Sequence, residues 1–259
     1  MAESTTTFRN YADHQDDHVS RFYRDNHRSQ TLAFAQQKLK QYGALNHGSM
    51  DTWEAIRKLE AIADDSDPDT ELSQLDHLLQ TAEAIRAAGH PRWFQLTGLI
   101  HDLGKVLCLF DEPQWAVVGD TFPLGCRFSE SIIYHHFFDQ NPDREIDEYQ
   151  TEYGIYSPNC GLDQVTMSWG HDEYLYRVVR AYLPPEALYV IRYHSFYSAH
   201  QAGAYRHLMN AQDIQMLEWV RRFQPFDLYS KSDLPPDRGP LMAYYETLVS
   251  EFLPPTLNW

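Results

Sequence analysis

Apolar residues recur every three or four positions through most of this chain, the spacing of one buried face of an α-helix. That pattern predicts a first helix from about Asn26 to Tyr42, stopped at Gly43, and a second from Asp51 to about Ala63. Asp51-x-x-Glu54 has the spacing of a capping box, and Asp64-Asp65-Ser66-Asp67-Pro68-Asp69 breaks the helix it opens. Ser73-x-x-Asp76 marks the next start, ahead of LDHLLQTAEAIRAAG, which stops on Gly89. Pro91 sits where a first helical residue lacks an N–H partner anyway, and opens one apolar helix over PRWFQLTGLIHDLGKVLCLF. Residues 111–170 are irregular and rich in Pro, Gly, Asn and Asp, with one short helix expected near Ser129–Phe138. Helical periodicity resumes in HDEYLYRVVRAYL, EALYVIRYHSF, DIQMLEWVRRF and LMAYYETLVSEFL. There is no long period-two strand, no βαβ rhythm and no internal repeat. The expectation is an all-α fold: a polar N-terminal arm over 1–25, packed on a single domain over 26–259 that carries long functional loops.

Composition adds limits. With 43% hydrophobic and 14% aromatic residues, the chain can bury a sizeable core. Lysine and arginine number 21 against 37 acidic residues, a net charge of −16 that repels phosphate backbones and anionic membranes. A neutral polyol is unaffected by that field. Cys108, Cys126 and Cys160 are odd in number and form no CxxC pair, which argues against a disulfide framework or zinc ribbon and suits a reducing compartment. The N-terminus lacks the order of a secretory signal, and no apolar run approaches the ~18 residues that span a bilayer. The expected location is therefore the cytoplasm.

Chemistry concentrates at His101-Asp102, inside the apolar stretch, with His77 in the preceding helix. Neighbouring helical residues point about 100° apart, so His101 and Asp102 rarely close on one ion. A carboxylate has two oxygens, however, and Asp102 could join two metals while His101 binds one. Thr97 and Gly98, one turn before His101, leave room for something to approach. Burying imidazole and carboxylate there is costly unless they are paired or bind a cation. Each histidine taken alone reads equally as a hydrogen-bonded core residue. Joined by a later aspartate, H…HD…D is the short pattern of the HD-domain superfamily, whose residues bind metals.

Longer motifs carry a closer resemblance. DDSDPD (64–69), QTAEAIR (80–86), LIHDLGKVL (99–107), EPQWAVVGDTFPLGC (112–126), MSWGHDEYLY (167–176), IRYHSFY (191–197) and FDLYSK (226–231) follow one another in order, and with them the chain resembles the myo-inositol oxygenase family from Phe8 to Trp259. Ser129–Asp143 departs from the family pattern except at Asn141-Pro142-Asp143. The resemblance implies an HD-type helical bundle holding two iron ions, mixed-valent Fe(II)/Fe(III), with no organic cofactor. It implies that His77, His101 and Asp227 hold one iron, that His171 and His194 hold the other, and that Asp102 bridges them. It further implies a monomer that opens the ring of myo-inositol with O2 to give D-glucuronate and water.

The implied substrate contacts are Arg9, Asp64, Ser66, Lys105, Gly119, Asp120, His194, Ser195 and Lys231. Lys105 and Asp102 are the implied catalytic pair. Lys105 follows Asp102 by three residues and His101 by four, so on a helix it shares their face. For Lys105 and Lys231 the plain alternative is surface charge, for Asp64 to Asp67 a solvated turn, and for His171 a helix N-terminus. No GxGxxG or P-loop is present, as expected of an enzyme without a nucleotide cofactor. An HD-type phosphohydrolase working through water, and a metal-bearing fold that only binds a polyol or protein, are the competing readings.

Overall fold

A computed structural model describes residues 18–60, 73–229 and 238–259. The described chain is all-α: α1 (His18–Ser29), α2 (Leu32–Tyr42), α3 (Thr52–Leu59), α4 (Gln74–Ala87), α5 (Arg92–Ile100), α6 (His171–Val179), α7 (Pro185–Tyr193), α8 (Tyr197–His200), α9 (Ala211–Tyr229) and α10 (Arg238–Phe252). Two short antiparallel strands, β1 (Ser49–Met50) and β2 (Leu257–Asn258), pair Ser49 with Asn258 and Met50 with Leu257. They close the C-terminal Trp259, fully buried, onto the segment before α3. Among the described residues no helix is long and apolar enough to cross a membrane.

Several starts follow local chemistry. Asp51 accepts from Glu54 N at 2.7 Å and Ser73 Oγ from Asp76 N at 3.2 Å, so both side chains satisfy otherwise orphaned helical donors. Gly89, at φ +75°, turns the chain after α4. α5 starts at Arg92 with Pro91 in the cap position.

Elsewhere the sequence-based expectations need correction. The helix expected from Asn26 to Tyr42 is two helices, and α1 begins earlier, at His18, burying Val19, Phe22, Tyr23, Asn26 and His27. Asn141 breaks it from a distance: its Nδ2 donates to His27 O at 2.6 Å and Gln30 O at 2.9 Å, while Asp143 Oδ2 accepts from Leu32 N at 2.8 Å. The polar arm expected over 1–25 therefore overlaps a helix that packs into the core; residues 1–17 lie outside the described residues. The helix expected through 91–110 ends at Ile100, and Leu103–Phe110 continues as a 3-10 helix. The short helix expected near Ser129–Phe138 lies at His135–Gln140, also as 3-10.

The bundle that matters for function is α4 against α5, α6 against α7, α7 against α5 and α9, and the 3-10 segment Leu103–Phe110 against α6. The small residues before His101 have a packing purpose. A Cβ on Gly98 would lie 2.8 Å from Ile85 Cδ1 and 3.1 Å from Ala82 Cα, so the room there is taken by α4, the helix that carries His77.

Candidate metal centre

His101 caps the C-terminus of α5 and Asp102 begins the 3-10 segment, at φ −94° and ψ 0°. The tighter turn closes with Lys105 N donating to Asp102 O at 2.9 Å. In a 3-10 turn side chains three apart eclipse each other, so Lys105 Nζ comes to 2.8 Å from Asp102 Oδ2. The break in the helix, rather than its continuation, brings this pair together.

The four histidines meet in two pairs. His77 Nε2 lies 3.3 Å from His101 Nε2, and His171 Nε2 lies 3.2 Å from His194 Nε2. His101 Nδ1 donates to Gly98 O at 2.9 Å, His171 Nδ1 to Val117 O at 2.8 Å, and His194 Nδ1 to Ile191 O at 3.0 Å. A carbonyl only accepts, so each of these rings carries its proton on Nδ1 and, when neutral, turns a bare lone pair at Nε2 toward its partner. Lone pairs facing each other inside a protein need a cation between or beside them. All four rings are buried, His101 at 1% exposure.

Asp102 lies between the pairs. Its Oδ2 is 3.9 Å from His77 Nε2 and 3.6 Å from His101 Nε2; its Oδ1 is 3.4 Å from His171 Nε2 and 3.6 Å from His194 Nε2. Asp227, near the end of α9, places Oδ1 3.2 Å from His77 Nε2 and 3.4 Å from His101 Nε2. Two groups could each hold an ion: His77, His101 and Asp102, and Asp102, His171 and His194. Imidazole nitrogen and carboxylate oxygen form a donor set suited to first-row transition metals, and the orientation of three rings by backbone carbonyls is how such ligands are usually fixed.

The charges agree. Burial pushes the Asp102 carboxyl up, but Lys105, His101, His194 and His171 outweigh it and hold the group well below the usual carboxylate range. Asp227 behaves likewise, burial being overcome by hydrogen bonds and charge from His101 and His77. At His194 burial favours the neutral ring, yet Asp172, Asp102 and Asp227 together push its pKa up to about 9. A pocket that draws a proton onto an imidazole this strongly offers a cation a favourable field.

The expected substrate contacts divide into two sets. Gly119, at φ +93°, lies beside Phe22, where a Cβ would come within 2.9 Å of Cε1. Asp120 is buried and accepts from Tyr23 OH at 3.1 Å. Thr121 N donates to Ser195 O at 2.9 Å, tying this loop to the residue after His194. Arg9, Asp64, Ser66 and Lys231 lie outside the described residues.

One residue at the site had no place in the sequence reading beyond a helix start. Asp172, 1% exposed, sets Oδ1 2.8 Å from His171 Nε2 and 3.4 Å from His194 Nε2. The signal was available: His171-Asp172 repeats the dipeptide His101-Asp102.

Fold and site define an all-α protein with two adjacent candidate metal positions that share one carboxylate. The chain belongs to the myo-inositol oxygenase family, whose sequence profile matches residues 16–259. It is similar to the inositol oxygenase of Dictyostelium discoideum, 51% identical over 270 residues that cover 100% of this chain and 92% of the relative. Similar proteins named inositol oxygenase in Danio rerio (48% identical; 98% of this chain, 94% of the relative) and Homo sapiens (47%; 100% and 93%) extend the likeness across vertebrates. Membership makes this chain an oxygenase.

Proposed function

We propose that the chain opens the ring of myo-inositol with O2, giving D-glucuronate and water, at two iron ions held by the clustered histidines and aspartates. The observation that carries this reading is the division of Asp102: one carboxylate oxygen faces each histidine pair. His77, His101 and Asp227 would hold one iron, His171 and His194 the other, with Asp102 shared between them. When bound, a mixed-valent Fe(II)/Fe(III) pair would supply the Lewis acidity that lowers the pKa of a coordinated hydroxyl and the redox capacity to use O2.

The chain's own residues do the rest. Lys105 Nζ, an ammonium paired with Asp102 Oδ2, is placed to donate a hydrogen bond to an inositol oxygen and hold the charge that oxygen gains on losing its proton. Gly119, Asp120 and Ser195, with Arg9, Asp64, Ser66 and Lys231, read the ring hydroxyls, short polar groups being suited to a molecule with a donor and acceptor on every carbon. Phe223, 5.1 Å from the His101 ring and 6.2 Å from that of His194 by centroids, walls water from one side. The C1–C6 bond breaks, one carbon ending as carboxylate and the other as aldehyde. The protein works as a monomeric HD-type domain, as the family resemblance implies, and in the cytoplasm, a reading supported by its free cysteines, Cys108, Cys126 and Cys160.

The competing phosphohydrolase needs only His77, His101, Asp102 and Asp227, and gives the facing pair His171 and His194 no role. Metal-stripped protein reloaded anaerobically with Fe(II), and separately with Zn(II), tests the assignment. Two irons per chain, and glucuronate from inositol in air with the iron sample alone, are expected. Phosphate release from phosphate esters without use of O2 would overturn it.

A further inference from the structure

Asp172 makes more contacts than a helix-capping acid needs. Thr121 Oγ1 donates to its Oδ2 at 3.1 Å, Ser195 N donates to the same oxygen at 3.2 Å, and Ser195 Oγ donates to Oδ1 at 3.2 Å. These three donors come from two segments: the loop that presents Gly119 and Asp120, and the turn that follows His194. Thr121 N closes the same junction by donating to Ser195 O at 2.9 Å. Asp172 itself is anchored beside His171 at the start of α6. A single buried carboxylate therefore sets the spacing between one proposed metal position and two of the segments proposed to read the substrate.

We propose that Asp172 is a positioning residue for substrate binding, holding the hydroxyl and amide of Ser195 and the hydroxyl of Thr121 in register with the His171–His194 pair. This rests on the reading of the site given above. Its partners define the chemistry. An ionised carboxylate only accepts, so both hydroxyls must point their protons at Asp172, leaving their lone pairs turned outward. Ser195 Oγ then meets inositol as an acceptor. The adjacent Glu173 gives α6 a second hold on α7 through Arg192 Nε at 2.6 Å, so His171, Asp172 and Glu173 each fasten a different part of the pocket.

The substitution Asp172→Asn preserves size but not the acceptor pattern. The backbone N–H of Ser195 cannot turn, so the amide must give it the carbonyl and direct its NH2 toward Ser195 Oγ and the two Nε2 atoms. The serine hydroxyl is then reversed, and hydrogen atoms face the metal side.

Iron-loaded parent and D172N are compared anaerobically by calorimetric titration with myo-inositol, alongside iron content, thermal midpoint, and kcat and KM in air. D172N should keep the parent's iron content and bind inositol about tenfold more weakly. The loss should fall mainly on KM, with kcat within about threefold, since hydrogen bonds are lost in binding and not in the reacting bond. Inositol affinity within twofold of the parent would overturn the proposal. Loss of one iron would also overturn it, making Asp172 a ligand. If D172N fails to fold, Thr121→Val removes one donor and keeps the carboxylate; it should weaken inositol binding about threefold with iron unchanged, and an unchanged affinity would overturn the proposal. A parent that holds two irons but binds no inositol would instead overturn the reading of the site, and this proposal with it.

Discussion

Asp102 offers one oxygen to each histidine pair, so Asp102→Ala should take away the shared ligand of both proposed irons. Iron per chain, measured after gel filtration, should fall below one, and two irons with full turnover would contradict the bridge. Lys105→Ala should leave iron in place and reduce inositol turnover at least about a hundredfold, the scale of a positioned donor that stabilises developing negative charge; normal turnover would make Lys105 peripheral. His27 offers a pH test away from the metals. Burial, aided by His135 and His136, lowers its pKa to about 3 against the pull of the Ile133 carbonyl 2.7 Å from Nε2. The folded value lies below the unfolded one of about 6.5, so the folded state refuses a proton the unfolded chain accepts. Stability is then full above about pH 6.5 and falls as pH drops toward 3. Between pH 7 and 5 this one group should cost about 2 kcal/mol, read as a shift in urea midpoint that His27→Phe diminishes. Among single residues, His77, His101 and Asp102 stand out from their apolar surroundings, whereas His171, His194 and Asp227 are named through the family resemblance. Asp172 was passed over because an acid in the first turn of a helix already has a sufficient local reason, the helix dipole.

Helices set how closely these residues approach. A Cβ on Gly104 would collide with the backbone carbonyl of His171, so only glycine lets the 3-10 segment that carries Asp102 and Lys105 lie against the start of α6. Gly104→Ala should therefore lower both stability and metal content, whereas Ala at exposed Gly48, which has open space, should change neither. The α6–α7 pair is held by the half-buried Arg192, which meets Glu173 at 2.6 Å and the exposed Asp163 at 2.5 Å. Arg192→Met removes the donor on Glu173 Oε2 but leaves Arg177 on Oε1 at 2.8 Å, and should cost about 1–2 kcal/mol of unfolding free energy, the scale of one hydrogen bond to a charged group, read as a shift in urea midpoint. Helix existence was readable from apolar periodicity wherever local caps agreed, as at Asp51 and Ser73. It misled where the deciding contact was remote. Asn141 and Asp143 split α1 from α2 from more than a hundred residues away, and a periodic pattern carries no mark of such a partner. The same holds at His101-Asp102, where an unbroken apolar run hides the change to a 3-10 helix.

Across the whole molecule, the site draws on α4, the α5 terminus, α6, the α7 terminus and α9, segments spread from His77 to Asp227. Their order was visible in the sequence, and the family resemblance implied that they meet at Asp102; the packing that brings them there was not visible, because it depends on tertiary contacts such as Gly98 against α4 and Gln30 against Trp169, where both backbone groups of Trp169 are paired just ahead of His171. The acidic surface suits an uncharged substrate and disfavours phosphate esters, so turnover should vary little with ionic strength between about 0.05 and 0.3 M, beyond the reach of steering effects. The most direct measurement is stoichiometric. Protein reconstituted with Fe(II), partly oxidised, and mixed with myo-inositol in a closed oxygen-electrode cell should consume one O2 for each glucuronate formed, with no added reductant. Protein holding two irons that consumes no O2 with inositol, or that forms glucuronate only with an external electron donor, would contradict ring opening at a di-iron site.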